Sequence, residues 1–287
     1  MKSIYRNEQS KKAVWKLYDR QIEELKISYT DLFVNTSFGK THVIECGNLK
    51  GKPLLVFHGG NGTTAYNLKY CRFLLKDFHI YAVDTIGHPG KSAEVSLSPR
   101  NQEYGKWAVD VIKGLGFHEM ACLGGSFGAG ILVKAMCIAP EVIQRSVLIV
   151  PSAIQNAPAY KSINMAFPML MYWLTHKEKW FIKCILPMAI TESNITGDIL
   201  ATARCSIDNA KIKSVMPQNE SCENLCKYQN PVLVMAAEKD CLFPAKGVLL
   251  KAKKVWTQSK IYLLKDRGHI NELTNEEKKM IISFLIE

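Results

Sequence analysis

No apolar run in the 287-residue sequence reaches the ~20 residues of a membrane-spanning helix, which argues against a helical span. The opening residues, MKSIYRNEQSKKAVW, lack the apolar core of a secretory signal. The nine cysteines include no CxxC pair, and Cys222 and Cys226 have no histidine or second cysteine pair near them to complete a zinc set. Odd in number and scattered, with Cys122 and Cys137 inside apolar runs, they read as small hydrophobes in a reducing compartment. A soluble, cytoplasmic protein is expected. Glycine and proline occur at ordinary levels, and there is no repeat or low-complexity stretch.

Two nucleotide-binding patterns are also missing. GGSFGAG at 124–130 does not satisfy G-x-G-x-x-G at any offset. Gly87-His88-Pro89-Gly90-Lys91-Ser92 ends like a phosphate-binding loop, but its glycines are too close together. The chain does have positive charge in excess, with a formal net charge of +11 and 47% hydrophobic residues. The densest lysine run, Lys246 to Lys265, contains no acid, but it also lacks arginine and an aromatic ladder. It reads as a solvated helix face rather than a nucleic-acid surface, so no nucleic-acid partner is expected.

Residues 8–25 place Val14, Leu17, Tyr18 and Leu25 among charges, the pattern of an amphipathic helix. Asp31–Thr36 and Thr41–Cys46 alternate around Ser37-Phe38-Gly39-Lys40 and predict an antiparallel hairpin. Short continuous apolar runs follow: Pro53–Phe57, His79–Val83, Met120–Leu123, Ser146–Val150, Pro231–Ala236 and Lys260–Leu264. Continuous apolarity marks strands buried on both faces, as in a parallel sheet. Helical stretches between them, such as Asn101–Gly114 and Phe127–Cys137, predict an α/β doubly wound sheet with helices on both sides. From Ser152 to Gln229 no strand is convincing. That interval reads as an inserted helical cap (152–229) between two parts of one core (1–151 and 230–287). Its apolar runs, 163–174 and 180–190, serve packing on the body or an apolar wall for a lipophilic substrate.

Gly124-Gly125-Ser126-Phe127-Gly128 fits G-x-S-x-G between a strand and a helix. A serine in that sharp turn has an exposed hydroxyl, and the helix N-terminus behind it favours developing negative charge. A serine hydroxyl needs an adjacent base. Among seven histidines, His269 follows the last strand in Arg267-Gly268-His269, where its loop reaches the carboxyl edge of the sheet. His42, His79, His118 and His176 read as structural, and His58 as a residue that fixes its loop. Asp240, in the turn after Pro231–Ala236, is the expected partner of the imidazole, with Glu238 as rival. The other position for an acid, after Ser146–Val150, reads PSAIQNAP and offers no carboxylate. The order serine, acid, histidine is that of α/β-hydrolases. Two oxyanion donors are expected: the N–H of Phe127 and one from His58-Gly59-Gly60-Asn61-Gly62, with Gly60 ahead of Asn61.

HGGNG, DTIGHPGKS at 84–92, GGSFG, AAEKD and RGH, in this order, resemble the α/β-hydrolase superfamily from about Val34 to the C-terminus, the cap apart. NTSFGKTHVIECG at 35–47 and IYAVDTIGHPGKS resemble bacterial enzymes of the carboxylesterase NP type. The resemblance implies an eight-stranded, mostly parallel sheet with a helical lid, no cofactor and no metal, and a structural role for Asp84. Pro89 departs from the usual glycine-rich turn, and Ser126 argues against relatives that use an aspartate nucleophile. The expected activity is hydrolysis of a small-molecule carboxylic ester through an acyl-enzyme. Acyl transfer, amide or C–C cleavage by the same residues, and an idle ligand-binding homologue, stay open. So does peripheral membrane contact through the cap, though stable membrane insertion is not expected. A homodimer stays open as well.

Overall fold

The computed structural model describes residues 3–211 and 215–287. Eight strands form one sheet: β1 (Tyr29–Thr36), β2 (Gly39–Gly47), β3 (Lys52–Phe57), β4 (Phe78–Val83), β5 (Met120–Gly125), β6 (Ile143–Ile149), β7 (Val232–Ala237) and β8 (Ser259–Leu264). They lie in the order β1-β2-β4-β3-β5-β6-β7-β8. Only the β1–β2 and β2–β4 pairs are antiparallel, and the other pairings are parallel.

The continuous apolar runs have a direct cause. In a strand, successive side chains point to opposite faces. Leu55 and Phe57 of β3, Cys122 of β5 and Val232, Val234 and Ala236 of β7 enter one apolar layer. Their neighbours Leu54 and Val56, Ala121 and Leu123, and Leu233, Met235 and Ala237 enter the other. The first layer is closed by α3 (Glu103–Gly114), α4 (Phe127–Ile138) and α9 (Ala245–Val255). The second is closed by α1 (Glu8–Leu25), α2 (Thr64–Tyr70) and α10 (Asn275–Ile286).

Three details differ from the sequence pattern. β8 is the edge strand, so Ile261 and Leu263 are 39% and 43% exposed rather than buried on both faces. The lysine run 246–265 is not one helix face, since it crosses from α9 into β8. Helix α2 has little apolar periodicity and is started by its cap, with the Thr63 hydroxyl accepting from Tyr66 N at 3.2 Å.

Between β6 and β7 lie α5 (Ile163–Thr175), α6 (Glu178–Ala189), α7 (Gly197–Asn209) and the short α8 (Cys222–Leu225), with no strand among the described residues. α5 packs on α6 around the buried Tyr172, Phe181 and Ile185. α7 is fastened to α1, where Gln21 Nε2 donates to Thr202 Oγ1 at 2.9 Å. The sheet order reverses where β3 and β5 lie side by side. Their carboxyl ends open a crevice at that switch point, and the loops of the candidate site converge there.

Candidate active site

Ser126 sits between β5 and α4 with φ +54° and ψ −114°, a conformation that costs on the order of 1–3 kcal/mol for a residue with a side chain. Close backbone approach keeps its neighbours small. A Cβ on Gly124 would lie 2.7 Å from Gly128 and Ala129 N, and one on Gly128 would lie 2.6 Å from the Phe57 and His58 carbonyl oxygens. The end of β6 holds the turn, with Ser126 N donating to the Ile149 carbonyl at 2.9 Å.

The structure brings Ser126, His269 and Asp240 together. His269 Nε2 is 2.9 Å from Ser126 Oγ, and its Nδ1 is 2.8 Å from Asp240 Oδ2. The Asp240 carboxylate is buried, and its other oxygen accepts from Leu242 N at 2.7 Å and Phe243 N at 3.1 Å. Those two N–H groups leave Oδ2 directed at the imidazole. The Phe243 ring stands nearly edge-on to the imidazole, with centroids 5.2 Å apart. Glu238 is elsewhere, accepting from Asp266 N at 2.8 Å.

The loop carrying His269 is clamped on two sides. Arg267 donates to the Glu272 carbonyl and to both oxygens of Glu277, a buried carboxylate in the first turn of α10. Glu277 also closes a capping box with Thr274, whose T-x-x-E spacing was legible in the sequence. On the other side Ile270 N donates to the Met188 carbonyl of α6 at 2.9 Å. The histidine loop is therefore tied to the inserted helices.

Gly60 and Phe127 lie next to each other beside the serine. A Cβ on Gly60 would be 3.5 Å from Phe127 Cβ, and one on Gly59 would be 3.5 Å from Ser126 Cβ. Phe127 opens α4, so its N–H is among the helix donors without an intrahelical acceptor. Asn61 takes φ +56° in the same loop. His58 holds the loop from beneath. Its Nε2 accepts from Thr85 N at 3.1 Å, which leaves Nδ1 to donate to the Gly59 carbonyl at 2.8 Å. Burial lowers its pKa and keeps the ring neutral. His88 packs against Phe127, and burial, with His58 beside it, lowers its pKa to about 3. His42 lies wholly buried between Asp84 and Asp31, and His79 pairs with Glu45.

A cavity of about 1430 Å³ opens over Ser126 and His269. Its apolar wall includes Met165 and Met169 of α5, Ile185 and Met188 of α6, and Phe243. Arg6, Arg100 and Lys211 also line it, and among the described residues no carboxylate does. No cluster of three or more His, Cys, Asp or Glu among the described residues is placed to hold a metal ion.

A strand-borne serine elbow on a mostly parallel eight-stranded sheet defines a class. The family model of the alpha/beta hydrolase fold matches residues 52–194, and the chain has the α/β-hydrolase fold. Within it, the chain is similar to carboxylesterase YbfK of Bacillus subtilis, 25% identical over 279 residues that cover 94% of this chain and 93% of that one. It is 21% identical to the uncharacterized carboxylesterase nap of the same organism, over 89% and 86% of the two chains. The solved naproxen esterase (carboxylesterase NP) of Bacillus subtilis superposes with a TM-score of 0.82 at 18% identity, covering 95% of this chain and 96% of that one. No helix among the described residues is long and apolar enough to cross a membrane.

Proposed function

We propose that this chain is a serine hydrolase that cleaves carboxylic esters through an acyl-enzyme. The observation that carries the reading is the hydrogen-bonded series from Ser126 Oγ through His269 to Asp240, with the serine in a positive-φ elbow. Two relatives named as carboxylesterases, aligned over most of the chain, point the same way.

Ser126 Oγ attacks the ester carbonyl as its proton passes to His269 Nε2. The carbonyl π pair moves to oxygen, and the Gly60 and Phe127 N–H groups receive that oxyanion. Asp240 holds the imidazole by Nδ1 and stabilises the imidazolium. Collapse of the intermediate breaks the C–O bond, and His269 protonates the departing alcohol. Water, deprotonated by the same imidazole, then releases the acid and restores the serine. The apolar wall suits an uncharged, lipophilic ester, and the three cations at the cavity disfavour a positively charged one.

Ser126→Ala tests the assignment. Turnover of a p-nitrophenyl ester should fall by on the order of 10⁵-fold or more, labelling by a fluorophosphonate should vanish, and the thermal midpoint should hold or rise as the elbow loses its hydroxyl. Substantial activity in that variant, or no labelling of the wild type, defeats the proposal.

A further inference from the structure

Helix α5 shows two different faces. Ile163, Phe167, Leu170 and Leu174 recur at helical spacing and are 67%, 62%, 49% and 70% exposed. Positions i, i+4, i+7 and i+11 stack on one side of a helix. Trp173, 56% exposed, stands between that strip and the cavity, which it also lines. On the opposite side Tyr172 is fully buried against Phe181. Single exposed apolar residues are ordinary, whereas a contiguous apolar face marks an interaction surface.

The charges beside this face are predominantly positive. Residues 158–187 contain Lys161, Lys177, Lys179 and Lys183 and a single acid, Glu178, which is paired with Arg204 of α7. Lys179 and Lys183 place their ammonium groups 5.7 and 4.9 Å from the centre of the Trp180 ring. Trp180 stands edge-on to Phe167, with centroids 5.9 Å apart. The cations therefore adjoin the apolar strip. A second copy docking on this face by two-fold symmetry would set the same lysines against each other. An anionic lipid surface would meet both features at once: apolar side chains enter the acyl boundary and lysines meet the headgroups. At 13 residues the helix is about 20 Å long, too short to span a bilayer and long enough to lie along one.

We infer that α5 is an interfacial helix that seats the protein on anionic lipid. The same helix supplies Met165 and Met169 to the cavity above Ser126, so its outer face meets lipid while its inner face roofs the cavity. If the hydrolase reading above holds, the esters best supplied to the serine are those that partition into a bilayer.

The test is sedimentation of the full chain with vesicles of phosphatidylcholine alone and of phosphatidylcholine mixed with phosphatidylglycerol. The mixed vesicles should carry the protein down at low salt, and rising salt should release it. Phe167→Ser with Leu174→Ser should cut binding at least tenfold while hydrolysis of a short soluble ester stays unchanged. Lys179→Ala and Lys183→Ala should each weaken binding about fivefold. Ser126→Ala should bind as the wild type does, so failure of the hydrolase assignment and failure of lipid binding are read separately. Three results overturn the inference: no sedimentation with either vesicle, binding indifferent to the Phe167 and Leu174 changes, or a concentration-dependent dimer that those changes dissolve, which would assign the face to a second copy.

Discussion

Two acids compete for the imidazole on chemical grounds alone, Glu238 and Asp240, and geometry separates them. Asp240 folds back so that two backbone N–H groups occupy one oxygen and leave the other for His269. Glu238 points at the Asp266 N–H instead. Asp240→Asn should therefore lower kcat by about 10⁴-fold through loss of the correct imidazole tautomer. Glu238→Gln should leave kcat within a few fold. Steady-state kinetics on a p-nitrophenyl ester, with circular dichroism to verify folding, checks both, and the converse pattern would move the acid role to Glu238. Ser126, Asp240 and His269 were legible before any coordinates because each sits just past a strand in a short, self-contained motif. Lys134 was not. It lies in the apolar run ILVKAMCI and is buried in α4 with its charge paired to Glu220. Its partner stands 86 positions away, where no local pattern reaches.

Elements carry the next level of control, through the loop that presents His269. Arg267 fixes it to α10, and the Ile270 N–H fixes it to the last turn of α6. Gly268 lies between these ties, and a Cβ there would stand 2.3 Å from the Met188 carbonyl oxygen. That oxygen is backbone and cannot rotate aside, so Gly268→Ala must displace either α6 or the histidine. A shift near 1 Å is enough to cost about 10²-fold in rate. The expected phenotype is a fall of about that size in kcat with only a modest loss of thermal midpoint. An unchanged kcat would show that the loop tolerates the methyl group. α4 depends on its buried ion pair in a different way. Glu220 also accepts from Gln102 and Asn224 at 2.8 Å; burial would raise its pKa, but the hydrogen bonds from Lys134, Asn224 and Gln102, with the Lys134 charge, hold it below the usual carboxylate value. Glu220→Ala would leave the Lys134 charge without its partner, and unfolding in urea should show a loss of about 3–5 kcal/mol. A loss below about 1 kcal/mol would mean that water reaches Lys134. Strands were read more securely than helices because burial on both faces is written as an unbroken apolar run. α2 begins from a threonine cap and has no such signature.

At the scale of the molecule, one buried charge centre joins α1, the antiparallel strands and the loop after β4. Asp84 is fully buried. It accepts from Tyr18 of α1 at 3.1 Å and from Lys91 N at 2.7 Å, and it meets His42 Nδ1 of β2 at 2.8 Å. The resemblance of DTIGHPGKS implied a structural Asp84; its pairing with His42, 42 positions away, was not visible in the pattern. Burial alone would raise the pKa of Asp84, but the hydrogen bond and charge of His42 overcome it and leave it lowered. Burial would likewise lower that of His42, but Asp84 and then Asp31 outweigh it and leave it raised. The two shifts bound a pH window from opposite sides. The His42 contribution is complete below its unfolded value of about 6.5 and is lost as pH rises through the raised folded value. The Asp84 contribution is complete above its unfolded value of about 3.9 and is lost as pH falls through the lowered one. Stabilisation from this pair is therefore fullest between about pH 4 and 6.5. His42→Gln removes the charge and keeps much of the shape. Its deficit against the wild type in urea unfolding should be largest near about pH 5.5 and shrink as pH rises from about 6.5 through the raised His42 value. A deficit that stays constant across that range would mean that the imidazole is neutral in the folded protein, and that Asp84 is held by neutral hydrogen bonds alone.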